Sequence, residues 1–285
     1  SIILKHSSQT PMCAELISKA LQDTGIPEGL FQFIHTTHNV CEKIISDSRV
    51  AHVVFTGSVK GGKEIKKYIG QRFINVGLEL GGKDPAYVRS DCDLNHAIEN
   101  LIDGAFFNSG QSCCGIERIY VDKSIFNEFV EGAKSLTEKY ILGDPSDIKT
   151  NLGPVVRISA ANFIRTQVQE ALSQGANKVV DENLFPISSE DNCYISPQIL
   201  TNVNHDMRFM TEETFGPTVG IMSVNNENEA AELMNDSPYG LTASLWTKDL
   251  EFSKSFGKKI DTGTFFMNRC DALDPALAWT GVKDT

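Results

Sequence analysis

The chain has 285 residues, 41% hydrophobic and 22% charged, with 26 Lys+Arg against 37 Asp+Glu and a formal net charge of −11. That is ordinary globular composition, long enough for about two domains and a core that buries roughly 75% of the unfolded surface. The acidic balance argues against a general binder of nucleic acid or anionic membrane, and no apolar run approaches the roughly 20 residues needed to cross a bilayer.

The first third alternates short apolar runs with helical patterns. Ile2-Ile3-Leu4 reads as a strand, residues 11 to 22 as a helix stopped at Gly25, and residues 31 to 34 as a second strand. A short helix follows over 40 to 45, a strand over 50 to 55, a helix over 63 to 69 and a strand over 73 to 80. Strand, helix, strand, helix predicts a parallel sheet with crossover helices. After Gly81-Gly82, Leu94, Ala97, Ile98, Leu101, Ile102 and Ala105 fall on one helical face, with Asp91 or Asp93 as the cap. Residues 119 to 121 read as a strand, Ile125 to Ala133 as a helix, and 159 to 174 as a helix closed by Gly175. A strand over 219 to 224, a helix over 227 to 235, and strands over 242 to 246 and 263 to 267 complete an α/β second unit.

The seven cysteines, Cys13, Cys41, Cys92, Cys113, Cys114, Cys193 and Cys270, form no CxxC pair and no zinc spacing. No metal is expected, and the thiols suit a reduced cytoplasmic chain without a signal peptide. Four short segments carry possible chemistry. FTGSVKGG (55 to 62) is a strand-to-helix turn whose backbone N–H groups can hold an anion. It is neither a GxGxxG nor a Walker loop, and taken alone it is a weak signal that reads first as an ordinary strand-to-helix turn. In LELGGK (78 to 83), Glu79 ends an apolar strand, where a carboxylate is either paired or chemically employed. In GQSCC (110 to 114) a turn presents two thiols, and a thiolate is a strong nucleophile. EETFGP (212 to 217) is a turn with two acids that could simply be solvated.

In this order the four segments resemble the aldehyde dehydrogenase superfamily, as do LKHSSQTP (4 to 11), SPYGLTASLW (237 to 246) and GTFFMNRC (263 to 270). The resemblance covers essentially the whole chain. It implies α/β architecture with parallel open sheets: residues 1–80 as the later part of a Rossmann-like NAD(P)-binding domain, 81–272 as a catalytic domain, and 273–285 as a shortened return segment. It implies Cys113 as nucleophile and Glu79 as general base. Glu213 and Phe215 are implied at the nicotinamide end of NAD(P), Lys5 and Ser8 near the adenosine ribose, and Gly57 and Ser58 near the diphosphate. Ser112 and Asn268 border the substrate in this reading, and Ser109, Ser112, Asn268 and Cys270 suggest a small polar mouth. Ser8 stands where strict NAD users carry an acid, which with Lys5 favours NADP or dual use; alternatively Ser8 caps the helix after Pro11.

The implied reaction oxidises a small aldehyde to a carboxylic acid. Thiolate attack gives a thiohemiacetal, hydride leaves to NAD(P), and Glu79-activated water cleaves the thioester. Relatives that pass the acyl group to coenzyme A lack that carboxylate, so Glu79 favours a free acid. The family's upstream Asn and Pro-Trp-Asn segments and its downstream joining strand are not found. This leads to the expectation of a fragment, poorly active alone, since one oxyanion donor is worth roughly 3 kcal/mol. The full-length form is expected to be a homodimer or homotetramer, with no nucleic-acid or membrane partner. Competing readings are a non-catalytic relative with the same fold, such as a lens-crystallin-type paralogue, and a reductase of activated acids.

Overall fold

A computed structural model describes all residues from 1 to 285 and divides the chain into two compact units, Ser1–Leu78 and Glu79–Thr285. In the first, β1 (Ile2–Leu4), α1 (Pro11–Asp23), β2 (Phe31–Phe33), α2 (His38–Ser46), β3 (His52–Thr56), α3 (Val59–Ile69) and β4 (Asn75–Glu79) alternate along the chain. The strands form two separate pairs, β1 with β2 in parallel and β3 with β4, and no hydrogen-bonded strand bridges them into one sheet. Gly62, Ile65 and Ile69 share the buried face of α3, and both isoleucines pack with Ile45 and Val53.

The second unit carries β5 (Asp84–Val88), α4 (Leu94–Phe106), β6 (Ile116–Asp122), α5 (Phe126–Thr137), α6 (Ile158–Ser173), β7 (Asn177–Lys178) and β8 (Gln198–Thr201). It continues with α7 (Arg208–Thr211), β9 (Thr218–Val224), α8 (Glu227–Asn235), β10 (Thr242–Trp246), α9 (Leu250–Gly257) and β11 (Thr264–Met267). The strands make one seven-stranded sheet in the order β11-β10-β5-β6-β9-β8-β7, parallel throughout except for β7 on β8. Side chains alternate between the two faces, as strand geometry requires. Ala86, Val88, Ile119, Val121, Val219 and Ile221 meet α4 and α5. Tyr87, Tyr120, Ala243 and Leu245 meet Met234 of α8 and Phe256 of α9 on the other face. Asp93 is the cap of α4: its carboxylate accepts the His96 N–H at 3.2 Å.

β5 escapes a reading of the sequence because Pro85 argues against a central strand. The structure accommodates the proline at a register shift between Asp84 and Pro85, where the ladder is already interrupted. No helix is long and apolar enough to cross a membrane. Leu101 is fully buried between the sheet and α5. Leu101→Ala is therefore expected to destabilise this unit by about 2–5 kcal/mol in urea unfolding; an unchanged midpoint would contradict the packing described.

Candidate active site

Parallel strands enter their sheet from one edge, so the segments that precede neighbouring strands converge there. LELGGK leads into β5, GQSCC into β6 and EETFGP into β9, three strands adjacent in the sheet, while the segment from 237 to 241 leads into β10 on the far side of β5. This topology explains why four motifs distant in sequence occupy one place.

Glycines set the closeness of approach. A Cβ on Gly81 would lie 2.5 Å from Glu213 Oε1, one on Gly82 would overlap the Cys113 carbonyl oxygen, and one on Gly110 (φ +72°) would overlap the Gly216 carbonyl. Only residues without side chains let these loops touch backbone to backbone. Across the contact the Gly82 N–H donates to Glu213 Oε1 at 2.9 Å. The Cys loop is held on its other flank as well: Ser109 donates to the Gly153 carbonyl at 2.7 Å, and Gln111 Oε1 accepts the Val156 N–H at 2.8 Å. Asn108, Ser109, Phe215 and Asp271 all adopt left-handed backbone conformations without being glycine. Such strain persists only where surroundings over-determine it, and it concentrates at functional sites.

Cys113 is half-buried, and its thiol is drawn down to about 7 from the ordinary thiol range. The hydrogen bond from Cys114 brings it down, against burial and the charges of Glu79 and Asp271. Cys114 is buried and donates to Asp271 Oδ1 at 2.9 Å, and its thiol is pushed far up, first by the hydrogen bond to Cys113, then by burial and Asp271. Glu213 is raised to about 7, first by burial and then by the Glu117 charge, with the Gly82 N–H and Lys83 opposing.

Beneath the loops lies a polar layer that sequence reasoning missed. The Lys83 ammonium pairs with Glu117, their side chains 1% and 5% exposed, and also donates to Thr214 Oγ1 at 3.0 Å. Glu117 accepts the backbone N–H groups of Thr214 (2.9 Å) and Phe215 (3.0 Å). Arg118 donates to the Lys83 carbonyl at 2.8 Å and to the last carbonyls of α8. Asp84 accepts from the Thr242 N–H and hydroxyl, and burial lifts its carboxyl well above the usual range. The available signal was Glu117-Arg118 inside the otherwise apolar strand of residues 116 to 121.

Several expected groups do other work. The hydroxyl of Ser112 donates to Asp271 at 3.0 Å, Asn268 closes its amide on both backbone groups of Thr247, and the Cys270 thiol donates to the Asn100 carbonyl. Ser109 is internally bonded as well, so the polar groups of the four residues expected to form a small polar mouth all have partners within the protein. In the first unit, Gly57 and Gly61 make room for the Phe55 ring, and Ser58 caps α3 by accepting the Gly61 N–H at 3.2 Å. Ser8 does not cap α1, whose cap is Thr10. Lys5 follows β1 and acts electrostatically on Cys41. No cluster of His, Cys, Asp and Glu has the arrangement to hold a metal ion.

Because Cys114 has one proton and two acceptors, Asp271 and the Cys113 sulfur, Cys114→Ala is a sharp probe. It is expected to raise the midpoint of pH-dependent Cys113 alkylation from about 7 toward the ordinary thiol value. An unmoved midpoint would mean that Asp271 takes the proton.

The aldehyde dehydrogenase family model matches residues 1–285. A succinate semialdehyde dehydrogenase (NAD(P)+) of Escherichia coli strain K12 is 33% identical over 281 residues, covering 99% of this chain and 60% of that protein. A 3-sulfolactaldehyde dehydrogenase of Priestia aryabhattai is 34% identical, covering 99% and 58%. Among solved structures, succinic semialdehyde dehydrogenase from Streptococcus pyogenes in complex with NADP+ superposes with a TM-score of 0.94 at 29% identity, covering 99% of this chain and 61% of that one. Betaine aldehyde dehydrogenase from Staphylococcus aureus in complex with NAD+ gives 0.93 at 30%, covering 100% and 57%. The chain thus spans about 60% of the length of the curated relatives it matches. On the full-length family match and the convergence of its motifs at one sheet edge, this chain belongs to the aldehyde dehydrogenase family.

Proposed function

We propose that this protein contributes the reactive centre of an NAD(P)-dependent aldehyde dehydrogenase, with Cys113 as nucleophile and Glu79 as the base that activates water. The observation that carries the reading is the Cys113 thiol, at about 7, on the loop where GQSCC meets LELGGK and EETFGP. A lowered thiol pKa raises the share of sulfur present as thiolate at neutral pH, ready to attack a carbonyl carbon. The thiol proton leaves to solvent, and the Cys113 N–H would serve as a donor to the oxygen that becomes negative in the tetrahedral adduct. After the adduct is oxidised to a thioester, Glu79 removes a proton from water as that water attacks, which releases the acid and regenerates the thiolate.

Each unit by itself carries groups suited to part of a dinucleotide. The Glu213 carboxylate occupies the room that Gly81 leaves, and Phe215 is 41% exposed. In the first unit, α3 offers a capped, positively polarised N-terminus next to Gly57 and Ser58. Glu213 and Phe215 would hold the nicotinamide end, Gly57 and Ser58 the diphosphate, and Lys5 and Ser8 the adenosine ribose. NAD(P), when bound, supplies the hydride acceptor. The absence of an acid at Ser8 favours NADP or dual use, and the relatives named include complexes with each form. Ser112 borders the aldehyde with its hydroxyl held by Asp271, and Asn268 supports that border by fixing the ends of β10 and β11. Two of the relatives named are semialdehyde dehydrogenases, which makes short semialdehydes the first substrates to test.

Rapid-mixing kinetics with an aldehyde and NADP or NAD test this mechanism. Cys113→Ser is expected to lower kcat/KM by roughly 10³-fold or more. Glu79→Gln is expected to keep a burst of about one NAD(P)H per site while steady turnover falls roughly 10²–10⁴-fold. A Cys113→Ser protein that keeps its activity, or a Glu79→Gln protein with undiminished turnover, would contradict the assignment.

A further inference from the structure

Buried ion pairs are costly to desolvate, so one beneath a strained loop calls for a reason. The Lys83–Glu117 pair is almost wholly enclosed, and the hydrogen bonds its two charged groups make outside the pair go to Thr214 and Phe215. Both Glu117 oxygens are engaged: the carboxylate takes the N–H groups of Thr214 and Phe215 as well as the Lys83 ammonium. Lys83 in turn reaches the Thr214 hydroxyl at 3.0 Å. Phe215 sits at φ +55°, a conformation that an aromatic residue rarely adopts, and its N–H is fixed by Glu117. Two residues earlier, Glu213 is fixed from the other side by the N–H of Gly82, the residue next to Lys83. Glu117 therefore clamps the two backbone N–H groups that follow Glu213, while Lys83 holds the Thr214 hydroxyl.

From this geometry we infer that Glu117, with Lys83, is a positioning residue for cofactor binding: it holds Glu213 and Phe215 in the orientation in which they meet the nicotinamide end of NAD(P). This rests on the aldehyde dehydrogenase reading. Glu117 and Lys83 touch neither cofactor nor substrate, and they act through the strained turn they hold. The layer is built on two strand entries, with Lys83 ahead of β5 and Glu117 inside β6, so the clamp is referenced to the rigid sheet rather than to a mobile loop.

The test compares the wild type with Glu117→Gln, which keeps one acceptor oxygen and the side-chain volume but loses the charge. NADPH binding is followed by fluorescence titration, and Cys113 alkylation by iodoacetamide is followed at pH 7. Glu117→Gln is expected to weaken NADPH binding at least tenfold and to raise the cofactor KM similarly. Its kcat at saturating cofactor is expected to stay within about threefold, and its Cys113 alkylation rate within about twofold. Thr214→Val, which removes only the Lys83 hydroxyl contact, is expected to weaken NADPH binding about threefold and serves as the second probe should Glu117→Gln fail to fold. Binding within twofold of wild type in the folded variants, even with lowered thermal stability, overturns the positioning role alone. A folded wild type that binds neither NADPH nor NADH overturns the dehydrogenase reading, and this inference with it.

Discussion

Close approach of bare backbone is the constraint on which the candidate site depends. Gly81, Gly82 and Gly110 stand where the loops before β5, β6 and β9 touch, and a methyl group at any of them would meet a carboxylate or a carbonyl. The sheet supplies the framework, since three adjacent parallel strands deliver their entry loops to one edge. The glycines then determine how near those loops lie. The Cys113 carbonyl and the Glu213 carboxylate fill the space that the missing side chains leave, so the Cys113 loop and the Glu213 loop both lie against one short backbone segment.

The electrostatics follow from that crowding. Removing water raises a carboxylate and weakens the screening between neighbours. Glu213 is accordingly lifted to about 7, while the buried Lys83–Glu117 pair is tolerated because its charges are matched and its remaining bonding capacity is satisfied by Thr214 and Phe215. Cys113 goes the other way, down to about 7, through the neighbouring thiol. An acid is thus raised and a thiol lowered, shifts that burial and specific hydrogen bonds produce at functional sites.

Much of the architecture is legible locally. The helical periodicity of residues 94 to 105 and the Asp93 cap reproduce α4, and alternating strands and helices reproduce the chain order of the first unit. β5 is hidden by Pro85, which a reader weighs as a breaker without knowing that a register shift accommodates it. The short β8 and α9 carry too few periodic residues to stand out. At the site, Cys113 and Glu79 are marked by their motifs, but Lys83 and Glu117 look like surface charges until the sheet order brings them together. The hydroxyl and amide groups of Ser112 and Asn268 suggested an open polar surface, and only their partners, Asp271 and Thr247, place them in the protein's own bonding.

The account rests on one thiol of seven being chemically singled out. Sub-stoichiometric iodoacetamide at pH 7, followed by mass mapping of all cysteine-containing peptides, measures this directly. The account predicts that half-buried Cys113 takes most of the label ahead of the exposed Cys13. Label distributed by exposure, with Cys13 first and Cys113 no faster than Cys41 or Cys193, would contradict it.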